Sequence, residues 1–188
     1  MVDSVVRFRK LQNSKIHESF LDLFGGDDYL REFAEGESSD NLAQIFKTQI
    51  ETLGSFPYVR DFKMVNSRGK KNFIVFASRH EKGLQAIKNA MWIVDPQHGQ
   101  TFSEVEPNPL FAYSPDFRGF KEQVQEEFMG RTVTIEKVES FVNLGQFRIE
   151  HLRKEVLRPL EKSGLISVRR QGLRGFPSGT TITFSKSS

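Results

Sequence analysis

The stretch NFIVFASRHEKGLQAIKNAMWIVD, Asn72–Asp95, decides the fold class. It opens with five apolar residues in an unbroken run, Phe73–Ala77. A strand with one wet face alternates, so an unbroken run predicts a central strand buried on both faces. From Glu81 the period changes. Leu84, Ile87, Met91 and Val94 recur at helical spacing, Ala86, Ala90 and Ile93 widen the stripe, and Gln85, Lys88 and Asn89 are left for water. The reading is a strand feeding a helix, both in the core. Arg79–His80 lies where the strand ends. It reads as the start of the helix or as pocket lining, because ligands of open α/β sheets gather at such ends.

Upstream, residues 1–13 read as an alternating strand or a frayed start. Ser14 caps a helix to Phe24, which Gly25–Gly26 stops. A short helical turn spans Asp27–Phe33. Asp40 caps a further helix to Leu53, with Leu42, Ile45, Phe46, Ile50 and Leu53 on one face. Phe56–Asn66 is a strand. The four residues Ser67–Lys70, with Gly69 among them, join it to Lys71–Arg79, which indicates an antiparallel hairpin.

Four of the seven prolines fall in Pro96–Pro115, with no helical or strand period. Proline removes a donor and fixes φ, so this stretch reads as a linker between domains. Beyond it the pattern is compact. Phe117–Met129 is a helix with Phe117, Phe120, Val124 and Phe128 inward, and Arg131–Val133 is extended. Thr134 caps a helix to about Val142, and Asn143–Gly145 is a turn. Gln146–Lys162 is a third helix with Ile149, Leu152, Val156 and Leu160 on one face, and Pro159 inside it predicts a kink or restart near Arg158. Leu165–Val168 and Thr180–Phe184 are strands around the Gly- and Arg-rich loop RRQGLRGFPSG, residues 169–179. That order is a winged helix-turn-helix. The chain is therefore α+β: a partial α/β domain with an antiparallel hairpin over 1–95, a linker over 96–115 and a winged helix-turn-helix over 116–188.

Charge follows this division. Residues 147–186 hold nine Lys/Arg against three Asp/Glu, a net of +6, and the rest of the +3 chain carries −3. A basic end on an acidic body points to nucleic acid. On the third helix Arg148, His151, Lys154 and Arg158 project outward or to the flank, where a groove-bound helix meets base edges and phosphates. The loop adds Arg169, Arg170 and Arg174 as backbone contacts. Glu150 and Glu155 weigh against a tight duplex contact. The alternatives are a solvated basic face and a protein-docking surface.

Other chemistry finds little support. With no Cys there is no disulfide, thiol nucleophile or Cys-type metal centre within this chain. His17, His80, His98 and His151 show no metal-ligand spacing. Ser55, Ser78 and Ser103 lack a nucleophile-elbow context, and no phosphate-binding glycine motif is present. No apolar run approaches a membrane span, and no signal-peptide pattern is seen, so a cytoplasmic protein is expected.

Four phrases resemble a known family: HESFLDLFG (17–25), FIVFASRHEKGLQAIKNAMWIVD (73–95), HLRKEVLRPLEKSGLI (151–166) and FPSGTTITF (176–184). In order and spacing they are similar to the C-terminal half of the three-Cys-motif partner proteins, TcmP, over nearly the whole chain. The resemblance implies a methyltransferase-like sheet whose closing strand pair is the hairpin at 56–79, followed by a winged helix. It also implies a radical-SAM-like three-Cys-motif protein as partner. The family's Gly-rich cofactor loop and acidic ribose partner would precede these residues, so no catalytic or cofactor residue carries over. S-adenosylmethionine would enter only with that missing half, and whether the chain is an enzyme stays open. The expectation is a nucleic-acid-binding module for double-stranded DNA acting with a partner chain that completes the half sheet. The alternatives are the non-catalytic portion of a split or truncated methyltransferase, and a docking adaptor.

Overall fold

A computed structural model describes residues 39–104, 115–170, 172 and 174–186, with Glu18, Leu21, Asp22 and Gly26 besides. The readings at 1–13, 14–24 and 27–33 lie essentially outside the described residues. The chain divides into two compact units, Met1–Ala112 and Tyr113–Ser188. It is mixed α and β, with five helices and two three-stranded sheets among the described residues. No helix there is long and apolar enough to cross a membrane.

In the first unit, helix α1 (Ser39–Thr52) precedes strands β1 (Tyr58–Val65) and β2 (Lys71–Ser78). The two strands pair antiparallel from Tyr58↔Ser78 to Val65↔Lys71, as the hairpin reading expects. Asn66 closes the turn. Its side-chain oxygen accepts from the Arg68 and Lys70 N–H groups, and Gly69 takes φ +72, the left-handed position of a three-residue hairpin loop.

Helix α2 (Glu81–Val94) follows, and then β3 (Thr101–Ser103), which pairs parallel to β1. Among the described residues the order is β2–β1–β3. Among these strands the run Phe73–Ala77 is therefore not the central one expected: β1 takes the centre, β2 is only partly covered, and Ile74 is 50% exposed. Nor is 96–115 all linker, since Thr101–Ser103 joins the sheet.

The reason for that ordered turn is Asp95, which is nearly buried. One carboxylate oxygen accepts from the Gln97 and His98 N–H groups, the other from Gln100 and Thr101, each at 3.0–3.1 Å. These bonds outweigh the opposing effect of burial and hold its carboxyl below the usual range. Four backbone donors that a proline-rich stretch would leave to water are satisfied by one side chain.

The two helices cover opposite faces of the hairpin. Lys47 and Asp40 of α1 pair with Asp61 and Lys63, residues of one parity on β1. Gly83 of α2 instead lies against Ser78 and Phe76, which sit opposite Tyr58 and Arg60. The core holds Leu42, Ala43 and Ile45, then Val59 and Phe62, then Leu84, Met91 and Trp92.

Two sequence readings change here. Asp40 lies within the first turn of α1, and its two oxygens each accept from a lysine of the hairpin, Lys63 and Lys71, at 2.7 Å. On α2 the buried stripe is Leu84, Lys88, Met91 and Trp92, whereas Ile93 and Val94 are exposed. The helix is rotated from its apolar reading, and Trp92 packs over Gly99, where an added Cβ would lie 2.5 Å from the indole nitrogen.

In the second unit the elements are α3 (Arg118–Phe128), β4 (Thr132–Thr134), α4 (Ile135–Leu144), a third helix α5 (149–162), β5 (Ile166–Arg169) and β6 (Thr181–Phe184). The strands run antiparallel in the order β4–β6–β5. Phe120, Val124 and Phe128 of α3 meet Ile135, Val138 and Val142 of α4, Leu152, Val156 and Leu160 of α5, and Ile166, Ile182 and Phe184 of the sheet. For α3 and α5 these are inward positions expected from the sequence, with Phe117 and Ile149 only half-buried.

Helix α5 has three segments: Ile149–His151, a wider-wound Leu152–Leu157, and Arg158–Lys162. The Arg158 N–H reaches the Arg153 carbonyl, five residues back. Pro159 explains it. Its ring cannot abut the carbonyl four residues earlier, and the π-type turn opens the ladder just before it.

Candidate nucleic-acid interface

Seven of the second unit's basic residues, from Arg148 to Arg174, sort into two groups. Arg148, Arg153 and Arg170 are already paired within the protein. Lys154, Arg158, Arg169 and Arg174 are exposed.

Arg148 precedes α5 with an extended backbone and turns its guanidinium onto His151. Nε lies 3.2 Å and Nη2 2.9 Å from the imidazole Nε2. A guanidinium only donates, so Nε2 is the acceptor of this pair, and the Arg148 backbone N–H approaches Nδ1 of the same ring at 3.4 Å. The ring itself is 8% exposed and lies between Phe117, at 5.0 Å, and Phe147, at 6.3 Å. His151 therefore does not face a duplex. At helical spacing it stands one position from the apolar stripe of Leu152, and the aromatic residues flanking α3 and α5 draw it inward.

Arg170 is the second correction. Its Nη2 donates to Glu161 at 2.6 Å and its Nε to the Gly175 carbonyl at 2.7 Å, over the ring of buried Phe176. Arg169, one residue earlier, is exposed. Neighbours on a strand point to opposite faces, so only one of the two can turn back to the helix. Arg153 likewise donates to Glu139 of α4 at 2.7 Å.

The loop between β5 and β6 is fastened at its far end too. Glu136, in the first turn of α4, accepts from the Ser178 hydroxyl at 2.6 Å and from the Gly179 N–H at 2.7 Å. Those bonds, the hydroxyl's first, pull its carboxyl down to about 2. Thr180 is fully buried, and its carbonyl accepts from the Ile135 N–H. The Gly- and Arg-rich loop is thus pinned by Glu161 on one side and Glu136 on the other. Neither glutamate was singled out from sequence. The available signal was the adjacent pair Arg169–Arg170, one of which needs a partner on the helix.

These struts place the exposed cations. Glu161 lies three residues from Arg158 on α5, so Arg158 and the loop's root are neighbours on one side of the unit. Arg158, Arg169 and Arg174 make no ion pair among the described residues, and Lys154 is 68% exposed with only Glu155 at 3.5 Å. Glu150 is also exposed and lies 3.6 Å from Arg148.

Arg79 and His80 resolve as a helix start. The Ser78 hydroxyl accepts from the His80 N–H and donates to the His80 carbonyl, and the Arg79 guanidinium lies 5.0 Å over Phe56. Among the described residues no three His, Asp or Glu side chains gather as a metal site requires. Comparison with family models, with curated proteins and with solved structures finds no match.

Proposed function

We propose that the second unit is a winged helix-turn-helix that binds nucleic acid, in the form of duplex DNA. α5 would lie against the major groove, and the β5–β6 loop would act as the wing. The observation that carries this reading is the division of the arginines: those that brace the unit are paired, while Arg158, Arg169 and Arg174 are exposed and make no ion pair among the described residues. Unpaired surface arginine at this density is what phosphate neutralisation requires.

The first unit supports a role for a protein partner. Ile74, Ile93 and Phe102 are 50%, 74% and 41% exposed on β2, α2 and β3. Exposed apolar residues on a short sheet favour a chain that completes it. By the TcmP resemblance this chain would be a radical-SAM-like three-Cys-motif protein. The same observation is what a split methyltransferase or a docking adaptor would offer, and those are the competing readings.

Titration of the full chain with a labelled duplex at two salt concentrations tests the proposal. Micromolar binding at about 50 mM salt that fades by about 200 mM is expected from counterion release. Absence of binding at the lower salt would give the weight to protein docking.

A further inference from the structure

We infer that this unit grips DNA by its phosphates and discriminates little between base sequences; the inference rests on the nucleic-acid reading above. A groove-bound helix reads bases mainly with the residues of its N-terminal turns. Direct readout there depends on bidentate donors, Arg on guanine and Asn or Gln on adenine. At the start of this helix both arginines are already bonded within the protein.

Arg148 is bonded to His151, and His151 is buried among phenylalanines. Arg153 is bonded to Glu139. Asn143 is buried, and Gln146 is exposed but lies in the turn before the helix. What the first half of α5 leaves exposed is Glu150 and Lys154. Glu150 repels phosphate and Lys154 is a point charge without a fork, so neither makes the two-bond contact that separates one base pair from another.

The exposed arginines lie elsewhere. Arg158 stands in the last segment of the helix, Arg169 ends β5, and Arg174 lies on the loop. Residues so placed meet the sugar–phosphate backbone, which fixes position and adds affinity without carrying sequence information. The bracing pairs bear on the same point. To read a base, Arg148 would have to leave a bonded, half-buried position, and His151 would have to leave the core.

The test is selection of the full chain against a duplex pool with a random core, followed by anisotropy titration of the enriched and starting pools at about 50 mM salt. The enriched pool should bind within about threefold of the starting pool, whereas sequence readers separate specific from non-specific sites by about a thousandfold or more. An enriched sequence that binds about a hundredfold tighter or more than the starting pool would overturn this inference and leave the nucleic-acid reading standing. Failure of even the starting pool to bind would overturn both.

Discussion

The Arg170 guanidinium donates to the Glu161 carboxylate at 2.6 Å, while Arg169 beside it stands in solvent. One arginine of the pair is a strut and the other is available to a ligand. Replacing Arg170 with Ala removes its two bonds to the partly buried Glu161 carboxylate and one to the Gly175 carbonyl, and should cost about 1–3 kcal/mol of unit stability in urea unfolding. Arg169→Ala should leave the unfolding midpoint in place and weaken DNA binding. The reverse assignment of the two effects would refute this division of roles.

Lys88 gives the first unit a pH dependence. Burial, followed by the nearby charge of Arg60, pulls its amine down to about 7 from an ordinary 10.5. Between those values the unfolded chain holds a proton that the folded chain has released. Stability therefore rises with pH from about 7 to about 10, by up to about 1.4 kcal/mol per pH unit, and the gain is absent below 7, where both states are protonated. Fluorescence of Trp92, the sole tryptophan and 4% exposed, reports unfolding of this unit. In Lys88→Met the rise should vanish; an unchanged pH profile would remove Lys88 as its source.

Gly99 and Gly69 both hold positive φ, at +67 and +72, but their surroundings differ. A Cβ at Gly99 would strike the Trp92 ring, and one at Gly69 meets nothing within 4 Å. Gly69→Ala should cost about 1 kcal/mol, the backbone term alone. Gly99→Ala adds the displacement of a buried indole, about 1–3 kcal/mol more. Equal losses in urea titrations would contradict the packing of Trp92 over this turn.

Asp95→Ala should be among the costliest single changes in the first unit, at about 2–4 kcal/mol, because four backbone donors lose their acceptor in a nearly buried place. Since the folded carboxyl is held below its ordinary value, its contribution is present above the unfolded value near 4 and is lost as pH falls through the folded one. Acid unfolding of Asp95→Asn should be the shallower of the two; matching acid limbs would contradict it.

Sequence reading located the elements better than their surroundings. The helices and strands of the second unit follow from stripes such as Phe120, Val124 and Phe128, and Pro159 announced its own break in α5. Burial in the first unit was less legible. An unbroken apolar run gives no phase, so Phe73–Ala77 could not say whether it was centre or edge. Lys88 looks wet by type and is buried on the same stripe as Trp92, which residue type alone does not reveal. The ordered turn after α2 was hidden because one carboxylate, Asp95, organises it without any periodic signal. At the interface, charge counts cannot separate a strut from a contact: Arg148, Arg153 and Arg170 are spent on His151, Glu139 and Glu161, partners up to fourteen residues away.

The most direct test of the central claim is the salt dependence of duplex binding by the full chain, compared with a variant carrying R158A, R169A and R174A. Contact by these three and Lys154 predicts that log K falls against log salt with a slope of about −3 to −4, and that the triple variant flattens it to about −1. An unchanged slope in the variant, or no binding by the native chain at about 50 mM salt, would contradict the claim.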